Sequence, residues 1–331
     1  MKLPLVVRIL LWPLSILYAG AAWLRAWFYI RGWVPRERLK GAVISVGNLT
    51  VGGTGKTPMV IWLAEKLLAE GKRVAVLSRG YRGTGKTSDE IELMKNRLQG
   101  EVLFGVGKDR CAEGKRLESA EIDVFLLDDG FQYLRLARDV DIVLIDSTRP
   151  LRQESILPAG RLREPRSALH RADLVVFTRT EQSTLTVGAI QKFPRMPIYP
   201  SVTKLLGFRR HGPDAILQAE CPDPVFAFAG IGNPDAFFAD LEGWGVRVVG
   251  RKSFRDHHRY TKQELQKLTA DAQLLGAKAL VTTEKDAHNL DAAFLPELPV
   301  VMAVIAMDIP DEDRFLRDLR QRLALGRGVA A

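Results

Sequence analysis

The chain of 331 residues is long enough to bury two ordinary hydrophobic cores, so two domains are expected. Its two cysteines, Cys111 and Cys221, lie far apart in the sequence, which excludes a disulfide framework and suits a reducing compartment. The five histidines show no zinc-binding spacing, and the net charge of +9 favours an anionic partner. No nucleic-acid-binding motif is evident, so we expect a membrane surface or a phosphorylated substrate instead of nucleic acid. No obligate protein partner is expected.

An uncharged, mostly apolar stretch of sixteen residues lies between Arg8 and Arg25. A membrane-spanning helix needs about 20 residues, and Pro13 falls inside this stretch. Tryptophan and basic side chains favour the lipid headgroup boundary, and four of the six tryptophans lie within residues 12–33. We therefore predict a membrane-associated helix over residues 1–35. A short span, a half-embedded helix and a helix packed on the protein's own core remain open.

A glycine-rich turn follows the strand-like run Val43–Val46 and closes on Gly55-Lys56-Thr57, and a helix-like stretch begins at Pro58. This order indicates a phosphate loop, in which glycine lets backbone N–H groups approach phosphate oxygens closely. The lysine adds positive charge, and the threonine hydroxyl can bind Mg²⁺. The expected nucleotide-binding residues of the loop are Gly52, Gly53, Thr54, Gly55, Lys56 and Thr57.

A second loop, Gly80–Thr87, matches the strict pattern G-x-x-x-x-G-K-[ST], whereas Thr50 occupies the first glycine position of the first loop. Context favours the first loop, because glycine is denser beside its lysine and a better apolar helix follows it. Pro58 also fits the first helical turn, where its missing N–H costs little. We therefore predict that Lys56, and not Lys86, meets the phosphates.

Apolar runs alternate with helix-length polar segments along the chain, which predicts an α/β fold with mainly parallel sheets. The first domain is predicted over residues 36–195, a proline-rich linker over 196–222 and a smaller α/β domain over 223–331. Strands are predicted at residues 43–46, 74–77, 102–106, 124–127, 142–145, 174–177, 225–229, 246–249, 279–282 and 300–304, and helices at 234–244 and 261–275.

Two aspartates, Asp128 and Asp129, end the apolar strand at residues 124–127. In phosphate-loop enzymes a carboxylate at such a strand end holds Mg²⁺ or its water opposite the loop threonine, here Thr57. The sequence Asp-Asp-Gly is also typical of turns, and Asp146 ends another strand in a similar way. The phosphate loop upstream makes the metal role the favoured interpretation.

Six motifs together resemble the tetraacyldisaccharide 4′-kinase family, in that family's order and over essentially the whole chain. They are Gly47–Pro58, Ser78–Tyr81, Asp128–Gln132, Leu157–Pro165, Phe254–His258 and Thr283–Ala287. The resemblance implies a lipid A pathway kinase that transfers the γ-phosphate of ATP to an acylated glucosamine disaccharide 1-phosphate, giving lipid IVA. It also implies two α/β/α domains facing each other across a cleft. The implied location is the cytoplasmic face of a Gram-negative inner membrane.

The resemblance further implies that Asp89 and His257 form a pair that activates the sugar hydroxyl. A carboxylate can accept the hydroxyl proton as the bond to phosphorus forms, and an imidazole can orient it. From the residues alone, Ser88-Asp89-Glu90 is typical of a helix start and His257 of a solvated loop. The resemblance reverses both interpretations.

The same resemblance places Arg110 and Arg163 near the nucleotide phosphates and makes Glu164 a further magnesium ligand. Each could equally be a surface charge. The segment Thr283–Asp286 has no physical role that the sequence suggests, since its spacing does not fit a guanine-reading motif.

The alternative function is a membrane-associated phosphate-loop NTPase that acts as a switch or assembly factor. A switch needs a water-positioning residue and usually a base-specificity motif, and neither is recognisable in the sequence. The lipid kinase is therefore the leading hypothesis.

Overall fold

The computed structural model describes residues 4–80, 88–183, 196–212, 216–290 and 297–328. The chain forms two compact units, each built from separate stretches of sequence. The first unit contains Met1–Lys86, Leu98–Val202 and Ile309–Ala331, and the second contains Thr87–Arg97 and Thr203–Asp308.

The described residues form eight α-helices. They are α1 (Leu5–Ile30), α2 (Lys56–Ala69), α3 (Asp89–Leu98), α4 (Arg110–Leu117), α5 (Pro234–Gly243), α6 (Lys262–Leu274), α7 (Glu284–Ala287) and α8 (Glu312–Gly328). Short 3₁₀ turns lie at Glu118–Ala120, Leu151–Gln153, Arg166–Arg171 and Thr180–Gln182.

The first unit is built on a parallel sheet of seven strands. These are β1 (Ala42–Asn48), β2 (Val74–Ser78), β3 (Leu103–Val106), β4 (Val124–Asp128), β5 (Val140–Asp146), β6 (Leu174–Thr178) and β7 (Ile198–Pro200). Their order is β3-β2-β4-β1-β5-β6-β7, and every neighbouring pair is parallel. Because β1 and β4 are parallel neighbours, the loop after β1 and the aspartates at the end of β4, Asp128 and Asp129, lie side by side at the carboxyl end of the sheet.

The second unit has a sheet of six strands. These are β8 (Val202–Arg210), β9 (Leu217–Gln218), β10 (Val225–Ala229), β11 (Val248–Ser253), β12 (Ala279–Thr283) and β13 (Val300–Asp308). Their order is β11-β10-β12-β13-β8-β9, with parallel pairing from β11 through β13 and an antiparallel edge between β8 and β9.

Alternating side chains of the interior strand β10 pack into two different cores. Val225 and Ala227 pack with the apolar face of α5, whereas Phe226 and Phe228 pack with that of α6. A continuous apolar strand therefore reflects burial on both faces of a sheet, as expected of an α/β/α sandwich. The predicted fold class is confirmed.

Residues 196–222, predicted as a linker, contribute strands to both sheets. Pro197 and Pro200 do not prevent this, because β7 is an edge strand, where a missing N–H costs no ladder hydrogen bond on the outer side. The carboxyl-terminal helix α8, predicted in the second domain, belongs to the first unit. Its Phe315 packs edge-on against Trp62 and Tyr199 at centroid distances of 5.4 and 5.0 Å.

Helix α1 is long and apolar enough to cross a membrane. Of its residues only Ser15 and Ala26 are buried, while Leu10 and Leu17 are 72% and 70% exposed. The interpretation of this helix as one packed on the protein's own core is therefore not supported.

Two polar side chains of α1, Ser15 and Arg8, bind the rest of the first unit. The Ser15 hydroxyl donates to the carbonyl oxygen of Ile156 at 3.1 Å and accepts from the N–H of Ala159 at 3.1 Å. Arg8 adds a hydrogen bond to the Ser155 hydroxyl at 2.8 Å. The helix thus presents apolar side chains outward while its contacts with the first unit are specific.

Candidate functional site

The phosphate loop, residues 47–57, turns the chain from β1 into α2. Gly52 and Gly55 adopt φ angles of 110° and 85°, in a region that side chains disfavour, which explains the need for glycine there. Helix α2 begins at Lys56. The N–H groups of a first helical turn have no partner within the helix, so they form a site for anions.

Side chains outside the loop hold its carbonyl groups. Arg161 donates to the carbonyl oxygen of Val51 at 2.7 Å, and Arg179 donates to that of Gly53 at 3.3 Å. The Thr178 hydroxyl donates to the carbonyl oxygen of Thr54 at 3.1 Å. Because the N–H and C=O of a trans peptide point in opposite directions, these contacts also fix the direction of the loop N–H groups.

Asn48 is fully buried and connects the loop to two basic side chains. Its amide nitrogen donates to the Thr54 hydroxyl at 2.7 Å, and its amide oxygen accepts from Lys56 at 3.4 Å and from Arg163. Gln132 donates to its backbone carbonyl at 3.0 Å. Asn48 therefore sets where both positive charges lie.

The Asp129 carboxylate contacts both of these basic side chains, Lys56 and Arg163. Arg163 binds its carboxylate through two hydrogen bonds of 2.7 and 2.8 Å, and the Lys56 ammonium lies 3.5 Å from Oδ1. Burial alone would raise the pKa of Asp129, but Lys56 and Arg163 outweigh it and hold the pKa well below its usual range. Arg110 donates to the carbonyl oxygens of Asp128 and Asp129, both at 3.3 Å.

Asp128 has a different environment. It ends β4 opposite Val46 of β1, and its Oδ2 accepts a hydrogen bond from the Ser78 hydroxyl at 3.1 Å. Burial and the charge of Asp129 raise its pKa, against the weaker effects of Lys56, Ser78 and Arg110. Its negative charge is thus poorly balanced by the protein, and a buried carboxylate of this kind fits a divalent cation.

Like Asp129, and unlike Asp128, Glu164 has its carboxylate bound by an arginine side chain. Arg171 binds its carboxylate through two hydrogen bonds of 2.7 and 3.0 Å, and both side chains are largely buried. The Arg171 guanidinium also lies 4.4 Å from the centroid of the Phe131 ring. The negative charge of Glu164 is therefore already matched by an arginine.

A second group of candidate functional side chains lies in the second unit, and its centre is the pair Asp89 and His257. His257 Nδ1 lies 2.9 Å from Asp89 Oδ2, and the Asn289 amide donates to the same carboxylate oxygen at 3.4 Å. The His257 backbone has a φ of 60°, and its N–H donates to the carbonyl of Gly230 at 3.0 Å. Although Asp89 begins α3, its carboxylate is directed to the imidazole, and His257 is a fixed residue with only 23% of its side chain exposed.

Three charged side chains surround this pair, and together the five residues form what we call the acid–base cluster. They are Glu90, Asp256 and Lys285, around Asp89 and His257. The Lys285 ammonium lies 3.0 Å from Glu90, 3.2 Å from Asp256 and 3.5 Å from His257 Nε2. One ammonium thus faces several acids and the outer nitrogen of the imidazole.

The acid–base cluster shifts the pKa values of its members. Burial alone would raise the pKa of Asp89, but hydrogen bonds with His257 and Glu90 and the charge of Lys285 hold it well below its usual range. The hydrogen bond to Asp89 raises the pKa of His257, against burial and the Lys285 charge. Burial and Asp89 raise the pKa of Glu90. Asp89 is therefore ionised and held ready to receive a hydrogen bond.

The sequence matches the profile of the tetraacyldisaccharide-1-P 4′-kinase family over residues 7–324. The chain belongs to this family. The tetraacyldisaccharide 4′-kinase of Geobacter metallireducens is 43% identical over 326 residues, covering 92% of this chain and 95% of that protein. The enzyme of the same name from Geobacter sulfurreducens is 40% identical, covering 88% and 87%.

A solved structure extends the family relationship to the fold. The crystal structure of the "apo" form of LpxK from Aquifex aeolicus, in complex with ATP, superimposes with a TM-score of 0.75 at 29% identity. The match covers 96% of this chain and 99% of that one. The resemblance inferred from the sequence motifs is thus confirmed.

Each predicted site residue of the family has a definite place in the structure. The first unit brings the phosphate loop together with Asp128, Asp129, Arg110 and Arg163, and Glu164 lies beside Arg171. The second unit brings Asp89 to His257. Lys86 and the rest of the rival loop over 81–87 lie outside the described residues, so the choice of Lys56 stays a prediction.

Several polar residues at these sites were not predicted. Asn48, Ser78 and Lys285 all lie in motifs that carried the resemblance, so their presence there was the available signal. Their partners are far away in sequence, however: Ser78 bonds to a residue 50 positions later and His257 to one 168 positions earlier. Contacts over such distances leave no periodic trace in a single sequence.

Proposed function

We propose that this chain transfers the γ-phosphate of ATP to the 4′-hydroxyl of tetraacyldisaccharide 1-phosphate, a step of lipid A biosynthesis. The observation that carries the proposal is the phosphate loop beside Asp128 and Asp129, in a chain of this kinase family. The Asp89–His257 pair supplies the group that a hydroxyl acceptor requires.

The phosphates of ATP are expected to bind the loop N–H groups from Gly52 to Lys56. Lys56 and Arg163 now share their charge with Asp129, so a triphosphate would meet cations that are already positioned. Arg110, held on the neighbouring carbonyls and 3.9 Å from the Tyr133 ring, adds a third positive charge.

Mg²⁺ is expected to bind the hydroxyl of Thr57 and the carboxylate of Asp128, since these are oxygen donors and Asp128 has a poorly balanced charge. When bound, the ion neutralises charge on the phosphates. Asp129 and Glu164 are each bound by an arginine, so we expect them to orient Arg163 and Arg171 rather than serve as the first ligands.

In the transfer, the acceptor oxygen forms a bond to the γ-phosphorus while the bond between that phosphorus and the β,γ-bridging oxygen breaks. ADP leaves, and the hydroxyl proton passes to the Asp89–His257 pair. Asp89 is suited to accept it because it is ionised and its position is fixed by His257 and Asn289. Helix α1, with its exposed leucines, is expected to lie in the anionic membrane surface that carries the lipid substrate.

The test uses the full-length protein with γ-labelled ATP, Mg²⁺ and purified tetraacyldisaccharide 1-phosphate in detergent micelles. Labelled lipid is the expected product, and labelled free phosphate alone would support the switch-type NTPase. Asp89→Asn should remove lipid labelling while ATP binding persists, because Asp89 is not expected to hold the nucleotide. The matched control is Asp271→Asn, a change at an exposed residue of α6.

A further inference from the structure

We propose that Lys285 is a positioning residue, which keeps the Asp89–His257 pair in its proton-accepting form by donating toward Nε2 of His257. The inference rests on the proposed function, since it assumes that this pair receives the proton of the acceptor hydroxyl. It also gives a role to the segment Thr283–Asp286, whose sequence suggested none.

The backbone around Lys285 is fixed by its neighbour Asp286. The Thr283 hydroxyl caps α7 by accepting from the Asp286 N–H at 3.1 Å, and Asp286 is fully buried. Asp286 Oδ1 accepts from the N–H of Gly230 at 2.9 Å and from the Tyr260 hydroxyl at 2.9 Å. The carbonyl of Gly230 in turn accepts from the N–H of His257. Gly230 therefore holds both segments: it binds the His257 backbone directly and the Lys285 segment through the Asp286 carboxylate.

Charged groups reach Lys285 from two other elements besides its own helix. Helix α3 contributes Glu90 at 3.0 Å and Asp89 at 3.8 Å, and the loop before α6 contributes Asp256 at 3.2 Å and His257 Nε2 at 3.5 Å. His288, on the turn after α7, also interacts electrostatically with Asp89. Three carboxylates thus hold one ammonium, whose donors extend to the imidazole.

The chemistry of the ammonium decides the form of the imidazole. A lysine ammonium has only donors, so next to Nε2 it favours the lone pair there and places the single imidazole proton on Nδ1. Nδ1 lies 2.9 Å from Asp89 Oδ2, so it would donate that proton to the carboxylate. A second proton, on Nε2, would bring an imidazolium against the ammonium, and the repulsion between these like charges opposes the attraction of Glu90 and Asp256, whose carboxylates lie 3.6 and 3.9 Å from Nε2.

The charge of Lys285 acts on the neighbouring pKa values in the direction that this geometry implies. Burial would lower the pKa of Lys285, but Glu90, Asp256 and Asp89 outweigh it and raise the pKa to about 12. Lys285 therefore keeps its charge in neutral solution. That charge lowers the pKa of both His257 and Asp89, although other effects dominate the net shift of His257.

The experiment measures kcat/KM for lipid phosphorylation against pH with the full-length wild type, Lys285→Met and Lys285→Arg. Loss of the positive charge should raise the pKa of the Asp89–His257 pair. The acidic limb of the kcat/KM profile should therefore move to higher pH by about one unit or more in Lys285→Met. Lys285→Arg keeps the charge and should leave the limb in place. Lys278→Met, at an exposed lysine of the same unit, is the matched control.

A lower kcat or melting temperature in Lys285→Met with an unmoved acidic limb would show a merely structural role and overturn the inference. If that variant does not fold, ¹⁵N NMR of the His257 ring in the wild type decides, since the proton is expected on Nδ1 above the acidic limb. A proton on Nε2 would overturn the inference. If the wild type labels no lipid, the proposed function fails instead, and the ring measurement still tests the contact.

Discussion

Among the described residues, Lys56 has two acceptors, Asn48 at 3.4 Å and Asp129 at 3.5 Å. Neither is an ideal close contact, so the ammonium is positioned without being neutralised by a single tight pair. If it meets the phosphates, Lys56→Ala should reduce phosphorylation by several orders of magnitude, because charge stabilisation dominates phosphoryl transfer. Steady-state kinetics should show a far smaller loss for Lys86→Ala. Equal or reversed losses would mean that the second glycine-rich loop binds the nucleotide.

The two adjacent aspartates should respond differently to the same substitution. Asp128→Asn removes a poorly balanced carboxylate, so the Mg²⁺ concentration for half-maximal activity should rise by about tenfold or more. Asp129→Asn removes the partner of Arg163 and Lys56, so ATP affinity should change while the Mg²⁺ requirement moves less. Magnesium titrations at fixed ATP distinguish these results. A larger magnesium shift in Asp129→Asn would reverse the assignment of the ligand.

The predictable part of the site is its local chemistry. A strand, a glycine-rich turn and a helix containing Lys56 share a continuous segment, and their geometry follows from it. Asp89 is different, because its segment alone is typical of a helix start. The residues alone do not indicate that its carboxylate meets His257, 168 residues later; the family resemblance implied this pair, and the fold shows the contact. The contacts of Lys285 could not be predicted for the same reason.

At the scale of elements, the predicted strands are present with ends displaced by a few residues, because apolar runs report burial on both sheet faces. The failures lie where packing overrides local signals. Pro200 ends an edge strand, where proline is tolerated. Residues 196–222, predicted as a linker, therefore contribute strands to both sheets. Helix α8 lies with the first unit because Phe315 packs with Trp62 and Tyr199. Such a contact is invisible in the helix's own sequence.

The contribution of the Ser15 hydrogen bonds to the docking of helix α1 can be tested by one substitution. Ser15→Ala would leave the buried Ala159 N–H without its acceptor and would remove one of the two donors to the Ile156 carbonyl, which also accepts from the Gly160 N–H, so it should destabilise the protein by about 1–3 kcal/mol. The measurement is the midpoint of chemical denaturation in detergent. Ser119→Ala, at an exposed serine, is the matched control and should change the midpoint little. Equal midpoints for the two variants would show that Ser15 does not fasten the helix.

At the scale of the whole molecule, the net charge of +9 and the exposed apolar helix α1 act in the same direction. Basic side chains favour anionic lipid headgroups, and exposed leucines favour the region just beneath them. A soluble lipid kinase would have to extract its substrate from the bilayer, whereas an enzyme held at the surface meets it there. Membrane association is therefore part of the proposed function, and it can be tested apart from the chemistry.

Leu17→Glu places a charge on the exposed face of α1, where the wild-type side chain is 70% exposed. If this face enters the membrane, binding to vesicles containing phosphatidylglycerol should weaken by about tenfold or more, because a charged side chain costs several kcal/mol in the apolar phase. Leu274→Glu, at a leucine of α6 that is 86% exposed, is the matched control and should bind as the wild type does. Sedimentation with vesicles measures the binding, and the melting temperature in detergent should not change in either variant. If Leu17→Glu instead lowers the melting temperature and keeps its vesicle binding, α1 packs on protein and the membrane assignment fails.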